Sequence, residues 1–248
     1  MQVVTICTQK GGTGKTSTAQ ALAQAAEKKG KSALLIDLDP QGNLTHITGA
    51  KAGGKSALDL LHGTPAAEII QKGTSGGVEI IPASWELQNE ATSKGSALRL
   101  AAALENVNYD YVFIDTPAKA GELQYNALQA AHRVIIPANL DILSLQALYQ
   151  IAATLEAFKE SNKELGEVDL LFTCCRRETS LSKQMRKTIT SKAEELGIKV
   201  IGSIPEAVAF QEAQALKENI FSYAPKSKPA AAYLEAFESI ERKPRRRK

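Results

Sequence analysis

Lys10-Gly11-Gly12-Thr13-Gly14-Lys15-Thr16-Ser17 is the stretch whose reading decides the fold of this chain. A β-branched run, Val3-Val4-Thr5-Ile6, precedes it, and a glycine-free stretch of Ala, Leu and Gln with helical character follows. Strand, glycine turn and helix start, in that order, aim a set of backbone N–H groups and a helix N-terminus at one point, which suits a polyphosphate. Lys15 is placed to reach the β- and γ-phosphates, and Thr16 to offer its hydroxyl to Mg²⁺. The general pattern G-x-x-x-x-G-K-[ST] fails at one position, because Gln9 stands where its first glycine belongs. A different pattern, K-G-G-x-G-K-T, is met in full. It adds a second lysine, Lys10, at the mouth of the loop, too early to duplicate Lys15.

The 248 residues, 44% apolar and 23% charged, suit one large α/β domain. Strand-like runs are expected at 2–7, 32–37, 78–82, 110–115, 133–137, 168–173 and 198–203. Helices are expected near 15–29, 56–61, 95–106, 122–131, 143–163, 180–196, 206–217 and 229–241. Several strands are near-continuous Val, Ile, Leu and Phe, as in parallel strands covered on both faces. The alternation predicts a doubly wound, mostly parallel sheet with helices on both faces, the P-loop NTPase fold, over residues 1–241. The stretches 49–56 and 72–77 read as surface loops. No apolar run is long enough to span a bilayer, and no secretory signal precedes Val3, so a cytoplasmic protein is expected. Cys7, Cys174 and Cys175 have no metal or redox spacing and read as reduced thiols. The net charge of +3 is uneven: residues 242–248 carry six positive charges, and without them 24 basic residues face 27 acidic ones. Such a basic, disordered tail attracts polyanions without sequence preference.

Two further stretches belong with the loop. Ser32-Ala33-Leu34-Leu35-Ile36-Asp37 runs into Leu38-Asp39-Pro40-Gln41-Gly42-Asn43, two carboxylates at a strand end before a turn. Beside a triphosphate, Asp37 is expected to hold Mg²⁺ through a coordinated water and Asp39 to orient the attacking water. Tyr111-Val112-Phe113-Ile114-Asp115 is a Walker B pattern, delivering Asp115 to the outer shell of the metal opposite Thr16. Lys10 is then free to reach across a two-fold interface to a second subunit's nucleotide, filling with lysine the part of an arginine finger.

With these residues the chain resembles the ParA/Soj branch of the deviant Walker A (SIMIBI-type) ATPases, which partition plasmids and chromosomes. Gln9 to Thr16, Leu34 to Asn43 and Tyr109 to Pro117 match its motifs, as do Asn126-Ala127-Leu128, Leu181-Ser182-Lys183-Gln184, Tyr223-Ala224-Pro225-Lys226-Ser227 and Ala232-Tyr233-Leu234. The resemblance spans roughly residues 2–240. It implies that Lys10, Lys15 and Asp39 are catalytic and that Lys10, Gly11, Gly12, Thr13, Gly14, Lys15, Thr16 and Ser17 hold ATP, with Pro205 against the adenine. It further implies Mg²⁺ at Thr16, Asp37 and Asp115, and an ATP-dependent sandwich homodimer that binds DNA non-specifically. A centromere-binding ParB-type partner then stimulates hydrolysis and releases the DNA, on the nucleoid in the cytoplasm.

The sequence departs from the family around Ile204-Pro205-Glu206-Ala207-Val208-Ala209. Ala207 has no amide to hydrogen-bond the base, and the arginines that help relatives bind DNA are missing at 206 and 209. A replacement phosphate-contacting surface is expected from Arg176, Arg177, Lys183, Arg186 and Lys187, with Arg245, Arg246 and Arg247 of the tail. The alternative reading is a MinD/ParA-like positioning ATPase for a non-DNA cargo or a membrane surface. The membrane version needs an apolar-faced terminal helix, whereas this end is almost pure Arg and Lys. A nitrogenase iron-protein-like reductase is disfavoured, because no cysteines stand after the Walker B region where a bridging cluster needs them.

Overall fold

The structure is a computed structural model that describes residues 1–74, 77–90, 97–176 and 179–241. The chain opens with strand β1 (Gln2–Ile6) and helix α1 (Lys15–Lys28), then β2 (Ala33–Asp37), α2 (Asn43–Thr48) and α3 (Ala57–Leu61). An edge hairpin, β3 (Gln71–Lys72) and β4 (Glu79–Ile81), leads through α4 (Leu87–Glu90) and α5 (Arg99–Leu104) to β5 (Tyr111–Asp115). There follow α6 (Glu122–Ala130), β6 (Arg133–Ala138), α7 (Ile142–Phe158), β7 (Glu167–Cys175), α8 (Ser180–Glu195) and β8 (Lys199–Pro205). The last described elements are α9 (Val208–Ala215), α10 (Ile220–Tyr223) and α11 (Lys228–Glu241).

The sheet runs β3-β4-β2-β5-β1-β6-β7-β8, parallel throughout except for the antiparallel β3–β4 pair at its edge. Both faces are covered, and the period-two alternation of the central strands divides between them. Val4, Ile6, Leu35 and Phe113 pack under α1 and α11, while Val3, Leu34, Ile36, Val112 and Ile114 face α3, α5 and α6. Ala19, Ala21, Ala23, Ala25 and Ala26 are fully buried on α1. Their small side chains let the first helix lie close against the sheet, and with it the loop that starts it. From β1 the strands continue towards β5 and β2 on one side and towards β6 on the other. That reversal leaves a crevice at the carboxyl ends, where doubly wound sheets bind ligands.

The expected strands are found, with ends shifted by a residue or two. The structure adds β3, which the Gly- and Lys-rich sequence around it disguises as loop, and the six-residue α2 directly after the Asp39 turn. Helix 95–106 shortens to Arg99–Leu104, and residues 91–96 lie outside the described ones.

At the opposite end of the sheet the guanidinium of Arg133, the first residue of β6, is buried between Asp169 and Glu167, 2.6 Å from the latter. It also donates to the carbonyl of Ile240 at 3.4 Å, and Tyr111 meets Phe237 edge-on at 5.1 Å. These contacts fix the end of α11 at the amino-terminal end of the sheet, away from the crevice. The tail 242–248 lies outside the described residues.

Glu27, near the end of α1, is half-buried beside Glu79; burial, then the like charge of Glu79, push its carboxyl up to about 7. The folded chain therefore holds a proton there that the unfolded chain releases from about pH 4.5 upward, so this residue's contribution to stability falls as pH rises through that window. Glu27→Gln removes the titration. Its melting temperature should exceed that of the wild type at pH 8, with the gain shrinking towards pH 5. Calorimetry at the two pH values checks this, and an equal difference at both contradicts it.

Candidate nucleotide site

The loop from Cys7 to Gly14 joins the end of β1 to α1. Gly12 and Gly14 have φ of 70° and 80°, in the left-handed region. A Cβ at Gly12 would meet nothing within 4 Å, so the backbone conformation, rather than space, calls for glycine there. Gly14 is the N-cap of α1 and supplies no side-chain cap, which leaves the first-turn N–H groups for an anion. Neighbouring strands brace the loop: the Thr173 hydroxyl donates to the Thr13 carbonyl at 2.7 Å, and the Asn139 amide to the Gly12 carbonyl at 3.4 Å. Gly11 through Ser17, with Asp39, Asn43, Ile47, Ala118 and Gln214, line a cavity of about 420 Å³. A larger cavity, about 830 Å³, lies between α3 and α5 and shares none of these residues.

Lys15 is buried, and its ammonium donates to the Lys10 carbonyl at 3.2 Å. Burial depresses its pKa, against the opposing pull of Asp115, Cys7 and Asp39. Asp115 ends β5 in register with Ile6 on one side and Asp37 on the other. It is wholly buried, and neither carboxylate oxygen has a hydrogen-bond partner. Burial, then the charge of Asp37, raise its pKa well above the ordinary value, with Thr16 and Lys15 offsetting only part of this. A buried, orphaned carboxylate beside a hydroxyl is the hard-oxygen donor set that Mg²⁺ favours.

Asp37, expected to meet Mg²⁺ through a coordinated water, is also tied to its own chain. One of its oxygens accepts from the Thr45 N–H at 2.8 Å and the Thr45 hydroxyl at 2.7 Å, and the other from the Asp39 N–H at 3.1 Å. Burial raises its pKa to about 6 in spite of these bonds. Asp37 therefore anchors the turn that carries Asp39. Asp39 is half-buried, accepts from the Gln41 N–H at 3.0 Å and lines the cavity opposite the loop. Thr45 escaped the sequence reading because the short helix α2 has no apolar periodicity long enough to announce it.

The Lys10 ammonium turns away from the cradle. It meets Asp141 at 2.6 and 2.7 Å and the Ser144 hydroxyl at 3.2 Å. Asp141 is the N-cap of α7, accepting from the Ser144 N–H at 2.8 Å. Burial alone would raise its carboxyl, but Lys10 and Ser144 hold it below the usual range. An Asp directly before an Ile-Leu-Ser-Leu run is an N-cap signal that the sequence did offer. On the same carboxyl-end rim, Trp85, Ile142, Leu143, Leu181 and Val208 follow β4, β6, β7 and β8 and are between 57% and 68% exposed.

Pro205 ends β8 and lines a smaller cavity that shares Gly14, Ser17 and Gln214 with the cradle. Among the described residues the expected basic side chains are not gathered into one open patch. Arg176 is paired with Glu206 at 2.6 Å. Arg186 turns inward, its guanidinium 4.9 Å from the centre of the Phe172 ring and donating to the Ser203 hydroxyl at 3.2 Å. Lys183 and Lys187 are exposed on α8. Arg177, Arg245, Arg246 and Arg247 lie outside the described residues. Among the described residues no helix is long and apolar enough to cross a membrane.

A family model described as an AAA domain matches residues 1–167. The chain is 32% identical to the chromosome-partitioning ATPase Soj of Thermus thermophilus, over 96% of its own length and 94% of that protein's. The chain belongs to the ParA/Soj family of partition ATPases. It is also 33% identical to the chromosome partitioning protein ParA of Caulobacter vibrioides, over 94% of this chain and 91% of that one. Among solved structures, cobyrinic acid a,c-diamide synthase from Mycobacterium smegmatis, with ADP and magnesium bound, superposes with a TM-score of 0.81 at 26% identity, covering 97% of this chain and 94% of that one. Family membership makes the chain a nucleotide-hydrolysing P-loop ATPase.

The Thr45 hydroxyl donates to Asp37 and accepts from the Ala83 N–H at 2.9 Å, both inside the protein. Thr45→Val keeps the shape, orphans the Ala83 N–H and removes one of the three hydrogen bonds to Asp37. It should lower unfolding stability by about 2–4 kcal/mol and slow ATP turnover through the loosened Asp39 turn. Urea denaturation measures the first effect, and an unchanged midpoint contradicts the clamp.

Proposed function

We propose that this chain is an ATP-driven partition switch. Two copies bind ATP, close face to face over their carboxyl-end crevices, and reopen after hydrolysis. The observation that carries this reading is Lys10: its ammonium lies on Asp141 at 2.6 Å, at the rim and outside its own cradle. Five apolar side chains stand exposed on α7, α8, α9 and the turn after β4 at that same end, which suits a face that is covered part of the time. In the closed pair Lys10 would leave Asp141 for the partner's γ-phosphate, where negative charge accumulates as the phosphoryl group departs.

Within each subunit the loop N–H groups and Lys15 hold the phosphates, and Asp39 orients the attacking water. Thr16 and Asp115 would hold Mg²⁺, which supplies positive charge to the phosphate oxygens. Asp37 acts on this chemistry through the turn it anchors. Non-specific DNA is the cargo the family suggests, and a ParB-type partner the natural stimulator of hydrolysis. A second reading, a cargo other than DNA, is supported by the pairing of Arg176 with Glu206, which neutralises one exposed cation, and by the inward turn of Arg186. DNA retention that falls with salt separates the two readings.

Asp39→Ala should bind ATP without turning it over and so accumulate the closed pair. Light scattering with ATP and Mg²⁺ should then give twice the monomer mass, reverting when ADP replaces ATP. A monomer under both conditions contradicts the sandwich.

A further inference from the structure

Beyond Gly14 and Ser17 the phosphate cradle opens into a cavity of about 170 Å³ at the ends of β7 and β8. Gly14, Ser17 and Gln214 line both spaces, so a group joined to a phosphate chain in the cradle extends into the smaller one. Its walls are largely apolar: Ile204, Pro205, Ala207 and Phe210, whose ring stacks on Tyr233 with centroids 5.4 Å apart. Several of the polar side chains around it are engaged with protein. The Gln214 amide donates to the Ser17 hydroxyl and to the Gln20 amide oxygen, each at 3.1 Å. The Thr173 hydroxyl is held by the Thr13 carbonyl at 2.7 Å, and the Tyr233 hydroxyl by that of Thr18 at 3.4 Å. Glu206 has its carboxylate on Arg176 at 2.6 Å and gives its N–H to the Cys175 carbonyl at 3.0 Å. Gln211 sits exposed at the mouth, and an amide there offers a donor or an acceptor simply by rotating.

We infer that this base site selects by shape and apolar contact rather than by a fixed hydrogen-bond pattern, and so accepts nucleoside triphosphates with an amino or a keto group on the base. The inference rests on the nucleotide-site reading above. Exchanging the amino group of adenine for the keto group of guanine reverses donor and acceptor, and only a fixed partner registers the reversal. Purines bind ahead of pyrimidines because the larger ring system covers more of the Pro205 and Phe210 wall. Apolar pockets separate close analogues by about 10–200-fold, whereas sites built on committed hydrogen bonds separate them by about 10⁴–10⁵.

The test uses the full chain with Mg²⁺ and a ribose-labelled fluorescent ATP analogue, displaced in turn by unlabelled ATP, GTP and CTP. ATP and GTP should displace it at concentrations within about 200-fold of each other, with CTP weaker than both. Gln211→Ala, an exposed and conservative truncation, should leave the ATP-to-GTP ratio where it was. A wild-type preference for ATP beyond that range, or a ratio that collapses in Gln211→Ala, overturns the inference and leaves nucleotide binding standing. Failure of the analogue to bind, in a chain that melts cooperatively, overturns the nucleotide site and the inference together.

Discussion

Asp37 and Asp115 end adjacent parallel strands in the same register, so two carboxylates are buried side by side at the bottom of the crevice. Burial raises the pKa of both, and the charge of Asp37 adds to the shift at Asp115. The surrounding structure manages the charge in two different ways. Three hydrogen bonds, two from Thr45 and one from the Asp39 N–H, hold Asp37 and turn it into the anchor of a loop. Asp115 receives no such bonds, and Thr16 and Lys15 offset only part of the cost of burying it. A nucleotide and a metal held here would be coupled to the loop through one electrostatic constraint, set by strand register.

The same constraint explains what the amino-acid sequence made legible. The glycine loop, the strands that end in Asp37 and Asp115, and their order along the chain are local patterns, and each reappears in the structure at the carboxyl end of the sheet. What stayed hidden depends on side chains distant in sequence. Asp141 takes hold of Lys10 across 131 residues, and nothing local to Lys10 announces it. Thr45 lies only eight residues from Asp37, yet the helix that aims it back is six residues long and leaves no periodic trace. The charged face expected on α8 failed at Arg186 for a related reason. Helical spacing gives the direction of a side chain's root, whereas the Phe172 ring and the Ser203 hydroxyl draw the long guanidinium inward.

Charge is divided between the two ends of the molecule. Arg133 pins the end of α11 to the amino-terminal edge of the sheet, while Lys183 and Lys187 stand near the start of α8, at the nucleotide end. A face-to-face pair would bring the second group towards the covered face and leave the end of α11 away from it. The base pocket follows the economy seen at Asp37: polar side chains around it serve the protein's own hydrogen bonds, and the ligand is left with apolar walls.

The central claim is that Lys10 serves the nucleotide of the other subunit. Mixing two variants, each inactive alone, tests it most directly: Lys10→Ala, which keeps Asp39, and Asp39→Ala, which keeps Lys10. In a mixed pair the Lys10→Ala subunit would receive the partner's lysine at a site whose own water-orienting carboxylate is intact. ATP hydrolysis should therefore return on mixing, rise with the fraction of mixed pairs and disappear on dilution. A mixture as inactive as either parent, with mixed dimers demonstrably formed, would contradict the account and return Lys10 to its own cradle.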